Sequence, residues 1–420
     1  MTYEFQYLMH LLGAASTGKT AEPPEQKTDW NRVLELSDEQ MLMPLICCAY
    51  KKNPSIGWPE NRMQGYLKTS FSSMLTESAR RSAIIGLLEK MEQKGIHTLV
   101  VKGFSIADNY YFPEARISAD TDLYIAPEDE EKASEFLKNQ GFRVEPRWEN
   151  GHHFEAHHPI MGLIEVHVQL YDEIVEEVWF ANVDREKLIC QPHKKISTSD
   201  GVYYTLGDTD HLIYLVLHMI KHFILCGMSL RMMMDVVLFL RNKKDDIDFD
   251  RVWFVMSKLR YDAFLSSVIW AMVMYCGFSV EDFRGTGSYD AEKVEAVLTD
   301  LEKGGWMGKN SFSERTESWQ EYSRLLISRK KSKFSYWIYM IKWQNGFGLK
   351  NFFPAKERLV KNYPCLIKYP WLLPFVWIHR LLFRSLKKAT QTKDKIIFNE
   401  HNISKESKKR IDMFRLLDML

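Results

Sequence analysis

The nine residues Ile117-Ser-Ala-Asp-Thr-Asp-Leu-Tyr-Ile125 constrain this chain more than any other stretch of it. Thr121, Leu123 and Ile125 alternate with Asp120, Asp122 and Tyr124, the period of a strand with one buried face. On such a strand both carboxylates point to the same side, about 7 Å apart along the backbone. Anions held that close repel each other unless a cation sits between them. A hard divalent ion such as Mg²⁺ meets that need, since it takes carboxylate oxygens and completes its shell with substrate phosphates. The competing reading is a solvated strand end with two unrelated aspartates, and an Asp-x-Asp pair alone does not separate the two. Repulsion also carries a stability expectation: Asp120→Asn and Asp122→Asn should each abolish turnover with little loss of stability.

The flanking segments add to the pair. Thr98-Leu-Val-Val101 reads as a short strand that breaks at Lys102-Gly103-Phe104-Ser105 into a helix-compatible stretch. A strand that turns at Gly into a helix start offers backbone N–H groups to phosphate. Leu163-Ile-Glu-Val-His-Val168 alternates again, with Glu165 and His167 on the face opposite Ile164, Val166 and Val168. A Gly-containing turn, a paired-Asp strand and a third acidic strand resemble the nucleotidyltransferase superfamily related to DNA polymerase beta. More narrowly, Val-Val-Lys-Gly-Phe-Ser (100–105), Tyr111, Arg116, Asp120-Thr-Asp122, Gly141-Phe142 and Ile164-Glu-Val-His167 resemble a bacterial family of uncharacterised nucleotidyltransferases. The resemblance runs from about residue 30 to 390 and is strongest between 98 and 170. Two departures accompany it: Phe104 separates Gly103 from Ser105, and the interval from Gly103 to Asp120 is longer than usual.

The resemblance implies an α+β fold, with a nucleotidyltransferase-like mixed β-sheet core flanked by N-terminal and C-terminal helical regions. It implies transfer of a nucleoside monophosphate from a nucleoside triphosphate such as ATP to an acceptor hydroxyl, with release of pyrophosphate. Asp120, Asp122 and Glu165 would be catalytic and would hold two Mg²⁺ ions. Lys102, Gly103 and Ser105 would bind the triphosphate. Arg116 would either neutralise phosphate charge or pair with a carboxylate. A metal-dependent glycosyltransferase would also use Asp120 and Asp122, but has no need of the Lys-Gly turn or Glu165. A non-catalytic nucleotide-binding scaffold, or a membrane-peripheral module, is the other alternative.

At 420 residues and 49.5 kDa the chain has room for two or three domains. Its segments read as an N-terminal helical region (1–95), the catalytic core (96–205), a helical domain (206–320) and a C-terminal arm (321–420). Early helices are expected around 30–36, 42–52 and 63–94, and one that opens at Pro127 and stops at Gly141. Strands are expected at 142–145 and 153–157, and later helices from 208 to about 240, over 252–276 and over 291–303. Six scattered cysteines (Cys47, Cys48, Cys190, Cys226, Cys276 and Cys365) form no C-x-x-C pair and suit a reducing compartment. The N-terminus lacks the basic start of a signal peptide, and the apolar stretch from Tyr7 to Ser16 is too short for a bilayer. A cytoplasmic protein is expected, with peripheral membrane association left open.

Histidines cluster at Gly151-His-His-Phe-Glu-Ala-His-His158. The tract reads as structural or substrate-contacting, with a transition-metal site as the alternative. His167, beside Glu165, reads as a hydrogen-bond partner of the site. His218 and His222 share a helix face, as do Arg231 and Asp235, and either pair suits a polar seam between core and helical domain. Between 324 and 395 there are 17 Lys or Arg against two acids, in a chain of net charge +1. Aromatic residues such as Trp337, Trp343, Trp371 and Trp377 interleave with them. That composition suits an anionic partner, either a membrane surface or nucleic acid, or an arm that clasps the acidic remainder.

Overall fold

Capping side chains set the first helix starts. The Thr2 hydroxyl accepts from the Phe5 amide ahead of α1 (Tyr3–Thr17), and Asp29 accepts from Asn31 and Arg32 ahead of α2 (Trp30–Glu39). Gly18 ends α1 in the left-handed region, with φ 69°. Helices α3 (Met43–Lys52) and α4 (Glu60–Gln93) follow. The computed structural model describes residues 1–147, 151–171, 188–305 and 404–420, with positions 315, 317–319, 321–323, 325, 326, 363 and 376.

A seven-stranded mixed sheet forms the centre. Its strands are β1 (Thr98–Val100), β2 (Asp120–Ile125), β3 (Arg143–Glu145), β4 (His153–His158), β5 (Gly162–His167), β6 (Lys194–Thr198) and β7 (Gly201–Thr205). Their order is β3-β4-β5-β2-β1-β7-β6. The β2–β5 and β1–β7 pairs are parallel and the others antiparallel. Short α5 (Phe104–Ala107) and α6 (Glu130–Asn139) lie in the connections. Pro127–Asp129 forms a single 3₁₀ turn ahead of α6, and Gly141 follows that helix with φ 89°. With helices before and after the sheet in the chain, the fold is α+β, as the sequence predicts.

Alternation gives the sheet two unlike faces. Leu123, Ile125, Ile164, Val166, Phe154 and Ala156 turn toward one side, where Ile84, Leu88 and Met91 of α4 and Leu137 of α6 bury them. The opposite face carries Asp120, Asp122, Glu165, His167 and His153. Helix α7 (Asp208–Leu225) brings His218 to that second face. At its start, His211 donates from Nε2 to the Val101 carbonyl at 2.8 Å, which fixes the strand end just before Lys102. Burial holds the His211 imidazole neutral, with its pKa down at about 4.

Two helical readings divide in the structure. The run expected from 208 to 240 is α7 and α8 (Leu230–Asn242), parted where Gly227 takes φ 99° and Ser229 caps α8. The run expected over 252–276 is α9 (Phe249–Leu259) and α10 (Asp262–Cys276), parted at Arg260 with φ 65°. Apolar periodicity carries through both breaks, so it does not reveal them. Helix α11 is Ala291–Gly304. Helix α1 crosses α10 so closely that a Cβ on Gly13 would lie 2.2 Å from the Cys276 carbonyl oxygen.

The chain divides into two compact units, residues 1–323 with 404–420, and residues 324–403. The last helix of the segment 321–420, α12 (Lys405–Leu416), groups with the first unit. Buried Arg410 holds it there, donating to the Phe223 carbonyl at 2.6 Å, to Asp300 at 2.8 Å and to Ser318 at 2.9 Å. Apart from Tyr363 and Val376, the basic stretch 324–395 lies outside the described residues beyond Leu325 and Leu326. Among the described residues, no helix is long and apolar enough to cross a membrane.

Candidate active site

Strand register assembles the acidic residues. Parallel pairing sets Asp122 opposite Glu165, and antiparallel pairing sets Glu165 opposite Glu155, so three carboxylates stand in a row across β2, β5 and β4. Like charges directly opposite destabilise a sheet unless something compensates them. Lys102, two residues beyond the end of β1, supplies part of that compensation: its Nζ lies 2.8 Å from Asp122 and 3.5 Å from Asp120. His167 supplies more, with Nε2 at 3.1 Å from Asp122 and 3.6 Å from Glu165.

Burial and pairing oppose each other at Asp122, Glu165, Lys102 and His167. Burial pushes the Asp122 carboxyl up, but Lys102 and His167 outweigh it and hold it well below the usual carboxylate range. Glu165 is also lowered: burial raises it, and His167 more than compensates. Burial pushes the Lys102 pKa down, whereas Asp122 and Asp120 outweigh it and keep it above the ordinary lysine value. His167 follows the same logic and is raised by Asp122 and Glu165. His218, 3.5 Å from Lys102, is driven well below the normal imidazole range by burial and then by that neighbouring charge. Beyond it, His222 lies 3.0 Å from His218 and falls to about 3 for the same reasons.

Lys102 reaches the carboxylates because the chain turns tightly beneath it. Gly103 has φ 88°, and a Cβ there would meet the Thr121 Cα at 3.3 Å and the Asp120 carbonyl oxygen at 3.4 Å. Both the positive-φ backbone and the tight contact with β2 disfavour a side chain there. Gly103→Ala should therefore lower stability by about 1–3 kcal/mol and displace Lys102 from the aspartates. Chemical denaturation combined with the Nζ shift of Lys102 by NMR would check this, and an unshifted Lys102 with wild-type stability would refute it. Ser105 begins the next turn, and its buried hydroxyl makes no hydrogen bond among the described residues.

Arg116 is placed apart from this group. Its guanidinium is 2% exposed and donates to Asp235 from Nε at 2.8 Å and from Nη2 at 2.6 Å. The Tyr110 hydroxyl donates to the same carboxylate at 2.7 Å. Of the two roles open to Arg116 in the sequence, the geometry gives the carboxylate pairing. Its partner Asp235 and neighbouring Arg231, which donates to the Ile117 carbonyl, tie α8 to the segment leading into β2.

Sequence reasoning passed over Arg80. From α4 it donates to the Ser118 carbonyl at 2.6 Å, the Thr121 hydroxyl at 3.0 Å and the Met161 carbonyl at 2.9 Å. One buried guanidinium thus fixes the starts of β2 and β5, the strands that carry the acids. A lone arginine on a long polar helix gives no sequence signal for that role.

The donor set fits a divalent ion. One ligand atom each from Asp122, Glu165 and His167 lies within 4.8 Å of the other two. Asp120 is outside that set; its carboxylate accepts from the Ser118 hydroxyl at 3.3 Å and faces Lys102. The sequence model of a family described as "Uncharacterised nucleotidyltransferase" matches residues 26–276. The chain belongs to this family. No curated protein and no solved structure matches the chain. The nucleotidyltransferase match covers α2 to the end of α10, so it takes in the whole sheet and every residue of the acidic cluster.

Proposed function

We propose that this nucleotidyltransferase moves a nucleoside monophosphate from a nucleoside triphosphate to an acceptor hydroxyl and releases pyrophosphate. The observation that carries the reading is the Asp122–Glu165 register beside Lys102, on the polar sheet face. Asp120, Asp122 and Glu165 are the catalytic acids and the metal ligands, with His167 completing the set near Asp122. Bound Mg²⁺, one ion or two, would neutralise phosphate charge and acidify the acceptor hydroxyl. Lys102, the Gly103 N–H and the Ser105 hydroxyl bind the triphosphate. The acceptor oxygen forms a bond to the α-phosphorus as the bond from that phosphorus to the bridging oxygen breaks. The acceptor proton is lost to a carboxylate or to water.

A cytoplasmic location and an anionic partner at 324–395 belong to the same reading, supported only by composition. The test is incubation of the full chain with each α-labelled nucleoside triphosphate, Mg²⁺ and a cell extract. Label on an acceptor with matching pyrophosphate is the expected result, absent with Glu165→Gln. Sugar transfer from a nucleotide sugar, or nucleotide binding without turnover, would replace the reading with a glycosyltransferase or a scaffold.

A further inference from the structure

The imidazoles beside the acids form a group of their own. Antiparallel pairing of β4 with β5 sets His153 directly opposite His167, with ring centroids 5.1 Å apart. His152, just before β4, turns its ring to within 5.1 Å of His167 and 4.7 Å of His153. One ring nitrogen from each of the three lies within 4.8 Å of the other two. Two ligands of a tetrahedral Zn²⁺, at about 2.0–2.1 Å, sit about 3.4 Å from each other, so modest side-chain movement would close the set.

Two further observations point to a cation there. The His167 Nδ1 is buried and has no hydrogen-bond partner among the described residues, although its Nε2 faces Asp122. A buried ring nitrogen without a partner is expensive. Glu165 is also within reach, 4.0 Å from His153. Asp122 and Glu165 lie 3.1 and 3.6 Å from His167, so carboxylate charge borders the group. Neutral imidazoles with one carboxylate suit Zn²⁺ or Co²⁺, whereas Mg²⁺ prefers oxygen ligands throughout.

We propose that His152, His153 and His167, with Glu165, form a transition-metal site that adjoins the Asp122 carboxylate and shares His167 with it. The site is a binding property and does not depend on nucleotidyl transfer, so either reading can fail without the other.

The experiment is titration of the chelator-stripped full chain with Co²⁺ and Zn²⁺, followed by visible spectroscopy and calorimetry without nucleotide. About one equivalent of Co²⁺ should give the visible band of a tetrahedral ion with nitrogen ligands. Zn²⁺ should displace it, and excess Mg²⁺ should not. His153→Ala should weaken Zn²⁺ binding by more than the roughly 10–100-fold expected from losing an outer hydrogen-bond partner. His153→Gln, closer in volume, should do the same if the alanine variant misfolds. His157→Ala should bind like wild type, although His157 lies in a separate surface group with Glu145 and Glu155. Three results would overturn the site: no Co²⁺ band, equal competition by Mg²⁺, or loss of binding in His157→Ala but not in either His153 variant.

Discussion

Asp122→Asn is expected to abolish transfer and also to destabilise the protein by about 3–5 kcal/mol, the usual consequence of stranding a buried charge. The stability part reverses the expectation from repulsion alone. Asp122 is 1% exposed and binds Lys102 at 2.8 Å, so its removal takes the nearer of the two carboxylates that pair with a buried ammonium and leaves Asp120 at 3.5 Å. Asp120 is 24% exposed and contributes a weaker contact, so Asp120→Asn should lose turnover with little change in denaturation midpoint. The pH dependence has a definite sign. The folded Asp122 pKa is depressed, so its stabilisation is complete above the ordinary value of 3.8 and is lost as pH falls below it. The variant should lack that acid-sensitive part. Paired denaturation curves at neutral and acidic pH, with the labelling assay, test both halves. Equal stability of the two Asn variants would refute the Lys102–Asp122 pairing as a stabilising contact.

Asp235→Ala should have an effect of similar size for a different reason. The carboxylate accepts two hydrogen bonds from buried Arg116 and one from Tyr110, and its loss leaves all three donors without it. We expect a loss of about 3–5 kcal/mol. Replacing both partners, as Arg116→Met with Asp235→Leu, should recover much of that loss, because the Arg116 charge is removed together with that of Asp235. A double-mutant cycle by chemical denaturation measures the coupling. Additive single-variant effects would show that the pair does not act as a unit. Nucleotide affinity in the double variant is a further readout: a large loss would return Arg116 to a phosphate-binding role.

Strand residues were the legible part of this molecule. Alternation exposes β2 and β5 because each strand buries one face on α4, and Asp122, Glu165 and His167 occupy the other in strict period. What joins those strands was not legible. That Asp122 faces Glu165, and His153 faces His167, follows from pairings across 43 and 14 positions, which no local pattern encodes. Lys102 read as a phosphate ligand because its turn is local, whereas its contact with Asp122 depends on how β1 lies against β2. Arg80 and Arg410 were invisible for a related reason: each is buried through backbone carbonyls of distant segments, and carbonyls leave no trace in composition.

The close crossing of α1 and α10 sets an order of events in biosynthesis. Helix α1 is made long before α10, yet the surface against which Gly13 fits is complete only when Cys276 has been added. Until then α1 can pack only against its early neighbours α2 and α3, and its face toward α10 lacks a partner. Contacts between such distant segments bring a large loop-closure entropy and slow folding. The nascent chain therefore carries one uncovered face of α1 until α10 has been made, which makes that segment a natural client for chaperones.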